Sequence, residues 1–407
     1  MSARRPSVLI LSWEYPPIVE GGLARHVGKL SEGLAAAGFD VHVLTRGGRA
    51  APAGGDRGGV SVHRIRASAW PADPDRFVAW VGRMNRALLE AGTELAERFD
   101  FDLIHGHDWL VADAVEGLAD RLDRPLVMTI HATEYGRHQG WIVGQPQPRI
   151  HEAERRIVHR ADRVIACSEF MAGHIADVLS ADESRIRVIP NGVDPSDLAA
   201  PEPETLERMR SRFAGPDEPL VLMVGRLVYE KGFQVGLEAV GRLIRQRPGL
   251  RFVIAGTGIY ETELKAEASR LGLDRQGSFL GWVGDDLLGS LYRIADVCVV
   301  PSIYEPAGLV ALEAMTCGCP CVVADTGGLR EAVCHGKTGL RFAVRDPDSL
   351  ASMVELVLGD RQLREGVVHA GRDQVACSDW APAARATAAA YGELLDARRP
   401  IARGGER

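Results

Sequence analysis

A chain of 407 residues exceeds what one ordinary hydrophobic core fills and suits two domains. Its 46% hydrophobic and 25% charged residues are usual for a globular protein in water, and a net charge of -7 argues against a nucleic-acid-binding surface. No stretch reaches the ~18 consecutive apolar residues of a membrane span, and Val8–Leu11 is too short for the core of a signal peptide. Seven scattered cysteines, odd in number and without a spacing framework, predict reduced thiols and a cytoplasmic protein.

Short β-branched runs alternate with amphipathic ones, which predicts an α/β protein with parallel sheets covered by helices. The first half gives strands at Ser7–Ser12, Asp40–Thr45, Ser61–Arg66, Leu103–His105, Pro125–Thr129 and Arg163–Ala166. Helices are expected between them, at Leu23–Ala37, Arg76–Arg98 and Gln147–Arg160 among others. Residues 47–59, rich in Gly, Ala and Pro, read as a surface loop. A first domain over 1–194 then gives way to a proline-rich, charged linker at 195–219 holding one short helix.

The pattern restarts at 220–378, with strands at Leu220–Val224, Arg251–Ala255, Ser278–Leu280, Val297–Val300 and Cys321–Ala324. A closing helical stretch breaks around Ser378–Pro382, and its last part, about 380–400, is expected to cross back to the first domain. Two Rossmann-like halves imply a deep cleft, with ligands at the carboxyl ends of the strands.

Candidate residues fall at those strand ends. After the first strand, Gly21-Gly22 precedes a helix, where backbone amides can approach a diphosphate or simply make a turn. His105-Gly-His-Asp-Trp109 has the H-x-H spacing of a metal site but no evident third ligand; Asp108 and the flat face of Trp109 read better as acceptor-side groups. His131, just past a buried strand in Ile130-His-Ala-Thr-Glu134, is either structural or placed beside a reacting sugar. Arg226 and Lys231 follow the first strand of the second half; they face one anion or form a solvated group with Glu230.

Glu305-Pro-Ala-Gly-Leu-Val-Ala-Leu-Glu313 sets two carboxylates around a helix start. The amides of Ala307, Gly308, Leu309 and Val310 are expected unpaired there and attractive to phosphate, while the carboxylates either grip sugar hydroxyls or offset the helix dipole. Cys317-Gly-Cys-Pro-Cys321 reads as buried thiols. The pairs Asp73/Asp75, Asp100/Asp102 and Asp346/Asp348 read as structural, so no metal is required.

Taken in order, Trp13-Glu-Tyr-Pro-Pro with Gly21-Gly22, His131, Gly225-Arg226…Glu230-Lys231-Gly232 and the E-x7-E segment resemble the retaining glycosyltransferases of family 4, the glycogen-synthase-like group with the GT-B fold. The resemblance covers nearly the whole chain. It implies catalytic roles for His131, Arg226, Lys231 and Glu305. Gly21, Gly22, Arg226, Lys231, Ala307, Gly308, Leu309, Val310 and Glu313 would bind the donor, with Glu313 on the ribose and Glu305 on the transferred hexose. Asp108, Trp109, Glu134 and Asn191 would line the acceptor side.

Ser12-Trp-Glu-Tyr-Pro-Pro, His107-Asp-Trp-Leu and Ile130-His-Ala-Thr-Glu are further similar to actinobacterial α-1,4-glucosyltransferases that build glycogen or methylglucose lipopolysaccharide. A nucleotide-sugar donor (UDP-glucose or ADP-glucose), a glycan acceptor and no cofactor are therefore expected. Ala307 departs from the aromatic residue usual in the family. Mannosyl transfer to a lipid or glycan is the alternative, ahead of an epimerase or a non-catalytic glycan-binding protein.

Overall fold

The computed structural model describes residues 4–48, 54–67, 71, 74–376 and 378–398. The chain divides into two compact units, Met1–Asn191 with Trp380–Arg407, and Gly192–Asp379.

The first unit holds one sheet of eight strands: β1 (Ser7–Ser12), β2 (Asp40–Arg46), β3 (Gly54–Arg57), β4 (Val60–Ile65), β5 (Leu103–His107), β6 (Leu126–Ile130), β7 (Arg163–Ala166) and β8 (Ile186–Val188). Their order is β3-β4-β2-β1-β5-β6-β7-β8. Val8, Leu9, Ile10 and Leu11 are fully buried, the continuous apolar run of a parallel strand covered on both faces. Val8 pairs with Val41 on one side and Leu103 on the other. Residues 54–57, expected within a surface loop, form the antiparallel edge strand β3 against β4. All four are exposed, so backbone pairing alone defines this strand and no apolar alternation announces it.

The second unit holds a six-stranded parallel sheet: β9 (Leu220–Val224), β10 (Arg251–Ala255), β11 (Gly277–Phe279), β12 (Val297–Val300), β13 (Cys321–Ala324) and β14 (Leu340–Phe342), in the order β11-β10-β9-β12-β13-β14. The segment expected as a linker is built into this unit: Leu198 is buried in its core, and Arg210, on helix Pro203–Phe213, bonds the Asp296 carboxylate at 2.9 Å. The closing stretch is three helices, Pro347–Gly359, Arg361–Val375 and Trp380–Ala397. Asp346 and Asp360 cap the first two. The last packs in the first unit beside helix Gly22–Ala36, where a Cβ on Gly33 would come within 2.6 Å of the Ala384 Cβ.

In each sheet the strand order reverses beside the unit's first strand. β1 lies between β2 and β5, and β9 between β10 and β12. The crevice outside the carboxyl ends at such a switch point is where open α/β sheets bind ligands.

Candidate active site

In the second unit, the turns leaving β9 and β12 are in contact. Gly232 sits at φ +69, and a Cβ there would lie 1.9 Å from the Pro301 carbonyl oxygen, so glycine is required. The Ile303 amide donates to the Glu230 carbonyl at 2.8 Å. This contact brings the Lys231 Nζ to 2.7 Å from the Glu305 Oε2. Glu305 also accepts from the Ser302 hydroxyl at 3.2 Å and the Gly308 amide at 3.4 Å. Burial pushes the Glu305 carboxyl upward; the Lys231 charge and these hydrogen bonds outweigh it and hold the group below the usual carboxylate range.

The Gly308 amide is therefore not unpaired at the helix start, as the sequence suggests, but bonded by Glu305. Gly308 caps helix Leu309–Thr316 at φ +80. Ala307, Leu309 and Val310 are half-buried around this helix start, where the first-turn amides of an α-helix lack intrahelical acceptors. Glu313 is buried one turn further in and accepts from the Tyr292 hydroxyl at 2.9 Å. Arg226 lies 3.6 Å from Glu230, with its side chain 47% exposed, while Lys231 pairs with Glu305. Cys317, Cys319 and Cys321 are buried; burial pushes the Cys317 thiol up to about 11 and the Cys321 thiol up to about 12, so both stay protonated. Asp102 caps the Ser7 amide at 2.7 Å and Asp346 caps a helix; Asp73 lies outside the described residues.

In the first unit, β1 runs into a turn closed by Glu14. This buried carboxyl, pushed up to about 7 chiefly by burial, accepts from the amides of Glu20 and Gly21. The Gly21 amide is thus engaged by the protein's own acid, which corrects the expectation that it faces a diphosphate. Gly22 opens helix Gly22–Ala36 and is exposed.

At the ends of β5 and β6, Asp108 holds the site together. It is buried, sits at φ +58, and its carboxylate accepts the His131 backbone amide at 2.7 Å. The His131 Nε2 lies 3.1 Å from the His107 Nδ1, and the His131 ring stands edge-on to His26 at 4.5 Å. His26 Nδ1 is 2.8 Å from the Asn191 Oδ1. Burial, then the Arg137 charge, pushes His131 down to about 3, so the imidazole is neutral at physiological pH. Burial likewise lowers His26 and His107.

Two expectations need correction here. Trp109 is 6% exposed and packs edge-on to Phe77, so its face is not offered to a sugar. The H-x-H pair is also split between two settings, and imidazoles from other elements join only His107. His105 turns inward, to Tyr391 at 2.5 Å and Thr129 at 2.8 Å, while His107 meets His26 and His131. Glu134 is buried, 3.1 Å from His138, and its amide donates to Glu154 at 2.8 Å. Sequence reasoning weighed His107 only as half of an H-x-H pair, and it missed His26, Glu14, Tyr292 and Ser302. Each is brought in by tertiary pairing from a different element, and a lone residue on a helix or strand carries no local signal of that.

A model of glycosyl transferases group 1 matches residues 206–374, and a model of glycosyltransferase family 4 matches residues 20–197. A glycogen synthase of Mycobacterium tuberculosis is 40% identical over 404 residues, covering 94% of each chain. A D-inositol 3-phosphate glycosyltransferase of Geodermatophilus obscurus is 34% identical over 357 residues, covering 84% of this chain and 79% of that one. Among solved structures, sucrose-phosphate synthase from Thermosynechococcus elongatus matches with a TM-score of 0.83 at 26% identity, covering 97% and 100%.

Proposed function

We propose, from the premise that this chain belongs to the group 1, family 4 glycosyltransferases with the GT-B fold, that it moves glucose from a nucleoside-diphosphate sugar to an α-1,4-glucan or related acceptor. The observation that carries this reading is the Lys231–Glu305 pair beside the Gly308-capped helix, at the carboxyl ends of β9 and β12. A cation, helix-start amides and an ionised carboxylate at a switch point suit a diphosphate joined to a sugar. The glycogen synthase at 40% identity favours glucose over mannose and a glucan over a lipid.

In this reading the second unit holds the donor. Glu313 takes the ribose hydroxyls and Glu305 the hexose hydroxyls. Lys231, Arg226 and the amides of Leu309 and Val310 meet the charge that grows on the leaving phosphate. In the first unit, neutral His131, held through its backbone by Asp108, takes the catalytic role that the family resemblance implies. Asp108, Glu134 and Asn191 serve the acceptor side through the groups they hold rather than by direct contact.

The reaction retains configuration. The bond from the anomeric carbon to the phosphate oxygen breaks, the acceptor hydroxyl bonds the same face, and its proton passes to the departing phosphate. The engagement of Glu305 with Lys231 supports this over a covalent glycosyl intermediate, since its carboxylate is committed to a cation. Because the phosphate charge is met by side chains and amides, no metal is assigned to the leaving-group step. Free thiols at Cys298, Cys317, Cys319, Cys321 and Cys334 support a cytoplasmic setting, and among the described residues no helix is long and apolar enough to cross a membrane.

A panel of UDP-, ADP- and GDP-glucose with GDP-mannose, scored by nucleotide release with and without an α-glucan, tests the reading. Glucan-dependent release from a glucosyl donor is expected. Release that ignores the glucan with every glucosyl donor, or an epimer formed from donor alone, would overturn it.

A further inference from the structure

His26, His107 and His131 each bring one ring nitrogen to within 4.8 Å of the other two. They come from three elements: helix Gly22–Ala36, the end of β5 and the residue after β6. In a settled core cluster every ring nitrogen finds a partner, as both nitrogens of His105 do. Here the Nε2 atoms of His26 and His107 are buried without a hydrogen-bond partner among the described residues. Each such atom has given up its bond to water and gained nothing in return unless something satisfies it.

The orientation of His26 is informative. An amide oxygen only accepts, so the bond to the Asn191 Oδ1 puts the proton on Nδ1 and leaves a lone pair on Nε2. Metal-bound histidines are commonly fixed this way, the outer nitrogen donating to an oxygen. Asp108, buried and bonded to the His131 amide, adds a negative charge beside the cluster.

We propose that His26, His107 and His131 bind a transition-metal cation of the Zn²⁺ class, and that an ion there blocks transfer by capturing the His131 imidazole. The second half rests on the role given to His131 above. Three imidazoles without a carboxylate or carbonyl cage select Zn²⁺, Cu²⁺, Ni²⁺ or Co²⁺ over Mg²⁺ and Ca²⁺. Metal–nitrogen bonds of about 2.1 Å in a tetrahedral site place ligand nitrogens about 3.4 Å apart. The 3.1 Å contact between the His107 Nδ1 and the His131 Nε2 is a ring-to-ring hydrogen bond that gives way when the His131 nitrogen takes the ion. With one nitrogen of each ring within 4.8 Å of the other two, reaching that spacing takes at most about 1.4 Å of closure per pair. His131 is half-buried, and a water would complete the tetrahedral set as fourth ligand. The ion is an inhibitor in this scheme, so transfer proceeds without it.

The test titrates the metal-free full chain with Co²⁺ and reads the visible spectrum. One Co²⁺ per chain is expected, with the intense d–d bands of a tetrahedral site and without the near-ultraviolet band of a thiolate ligand. Zn²⁺ should displace it and Mg²⁺ should not. His26→Gln and His107→Gln should each weaken binding at least ~100-fold, and Asn191→Ala by about tenfold, as loss of an outer partner does. Zn²⁺ should inhibit glucosyl transfer over the range in which it binds, with recovery on chelation. No saturable d–d bands in the wild-type chain, a thiolate band, or binding unchanged in folded His26→Gln overturns the site. A bound site without inhibition overturns the capture of His131. The spectrum needs no substrate, so the metal site stands or falls on it even where the transferase reaction has been wrongly assigned.

Discussion

Replacing Lys231 with alanine isolates the interaction on which the proposed donor site depends. The Lys231–Glu305 pair spans 2.7 Å, with side chains 20% and 10% exposed, so solvent screens it weakly. Removing one member of a buried pair costs about 3–5 kcal/mol, because the other charge is left without compensation. Ser302 and Gly308 still bond Glu305, which sets the expectation at the lower end, about 3 kcal/mol. The fold should survive.

The sign of the pH dependence also follows. In the wild type the Glu305 pKa is depressed, so its stabilisation is present above the unfolded value of about 4.3 and is lost as pH falls through the folded value. In Lys231→Ala, burial is no longer outweighed and the folded pKa rises, so the penalty at pH 7 shrinks as the carboxyl takes up a proton. The stability gap between the two proteins, measured by urea unfolding, should narrow from pH 7 to pH 4. Turnover at saturating donor should fall about 10²–10³-fold, the worth of one strong donor aimed at developing charge. Turnover within tenfold of wild type would refute the leaving-group role. A stability gap that does not vary with pH would refute the ion-pair account.

Other substitutions probe the first unit and the sugar pocket. Glu154, pushed up to about 8 by burial, binds more protons folded than unfolded between pH ~4.3 and 8, so its contribution to stability declines as pH rises through that window. Glu154→Gln should therefore be more stable than wild type at pH 8, by on the order of 4 kcal/mol, with the gain gone near pH 4; an equal effect at both pH values by thermal unfolding counts against this. Asp108→Gly should lower turnover about 10²-fold by releasing the His131 backbone, yet cost less stability than Asp108→Ala, because glycine accepts φ +58 and alanine bears about 1–3 kcal/mol of strain. Equal stabilities in urea would mean that strain at this position does not separate the two variants. Ala307→Phe should keep the fold and change the ratio of kcat/KM values among nucleotide sugars by about 10-fold; an unchanged ratio would detach residue 307 from the sugar.

Much of the fold was legible because parallel strands buried on both faces are written as unbroken apolar runs. Ser7–Ser12, Leu220–Val224, Arg251–Ala255, Val297–Val300 and Cys321–Ala324 have the bounds the sequence suggests. The strands that escaped, β3 and β14, are short, and β3 is fully exposed; such strands owe their existence to backbone pairing with a neighbour. The candidate site divides in the same way. Residues on one continuous turn, such as Glu305 to Glu313 or Arg226 to Lys231, announce themselves by spacing. What each does depends on a partner 74 positions away, in the case of Lys231 and Glu305, and on a glycine whose missing Cβ lets two turns touch.

The amino-acid sequence by itself determined the family, the two mainly parallel sheets and the strand ends at which the proposed site is sought, since these follow from local pattern and short motifs. Tertiary structure alone decided that Gly21 and Gly308 spend their amides on the protein's own carboxylates. It also turned Trp109 inward and gathered His26, His107 and His131 into one cluster. Spacing along a chain fixes which face of an element a residue occupies. Only packing of distant elements fixes what that face meets, and burial then sets the charge each group carries.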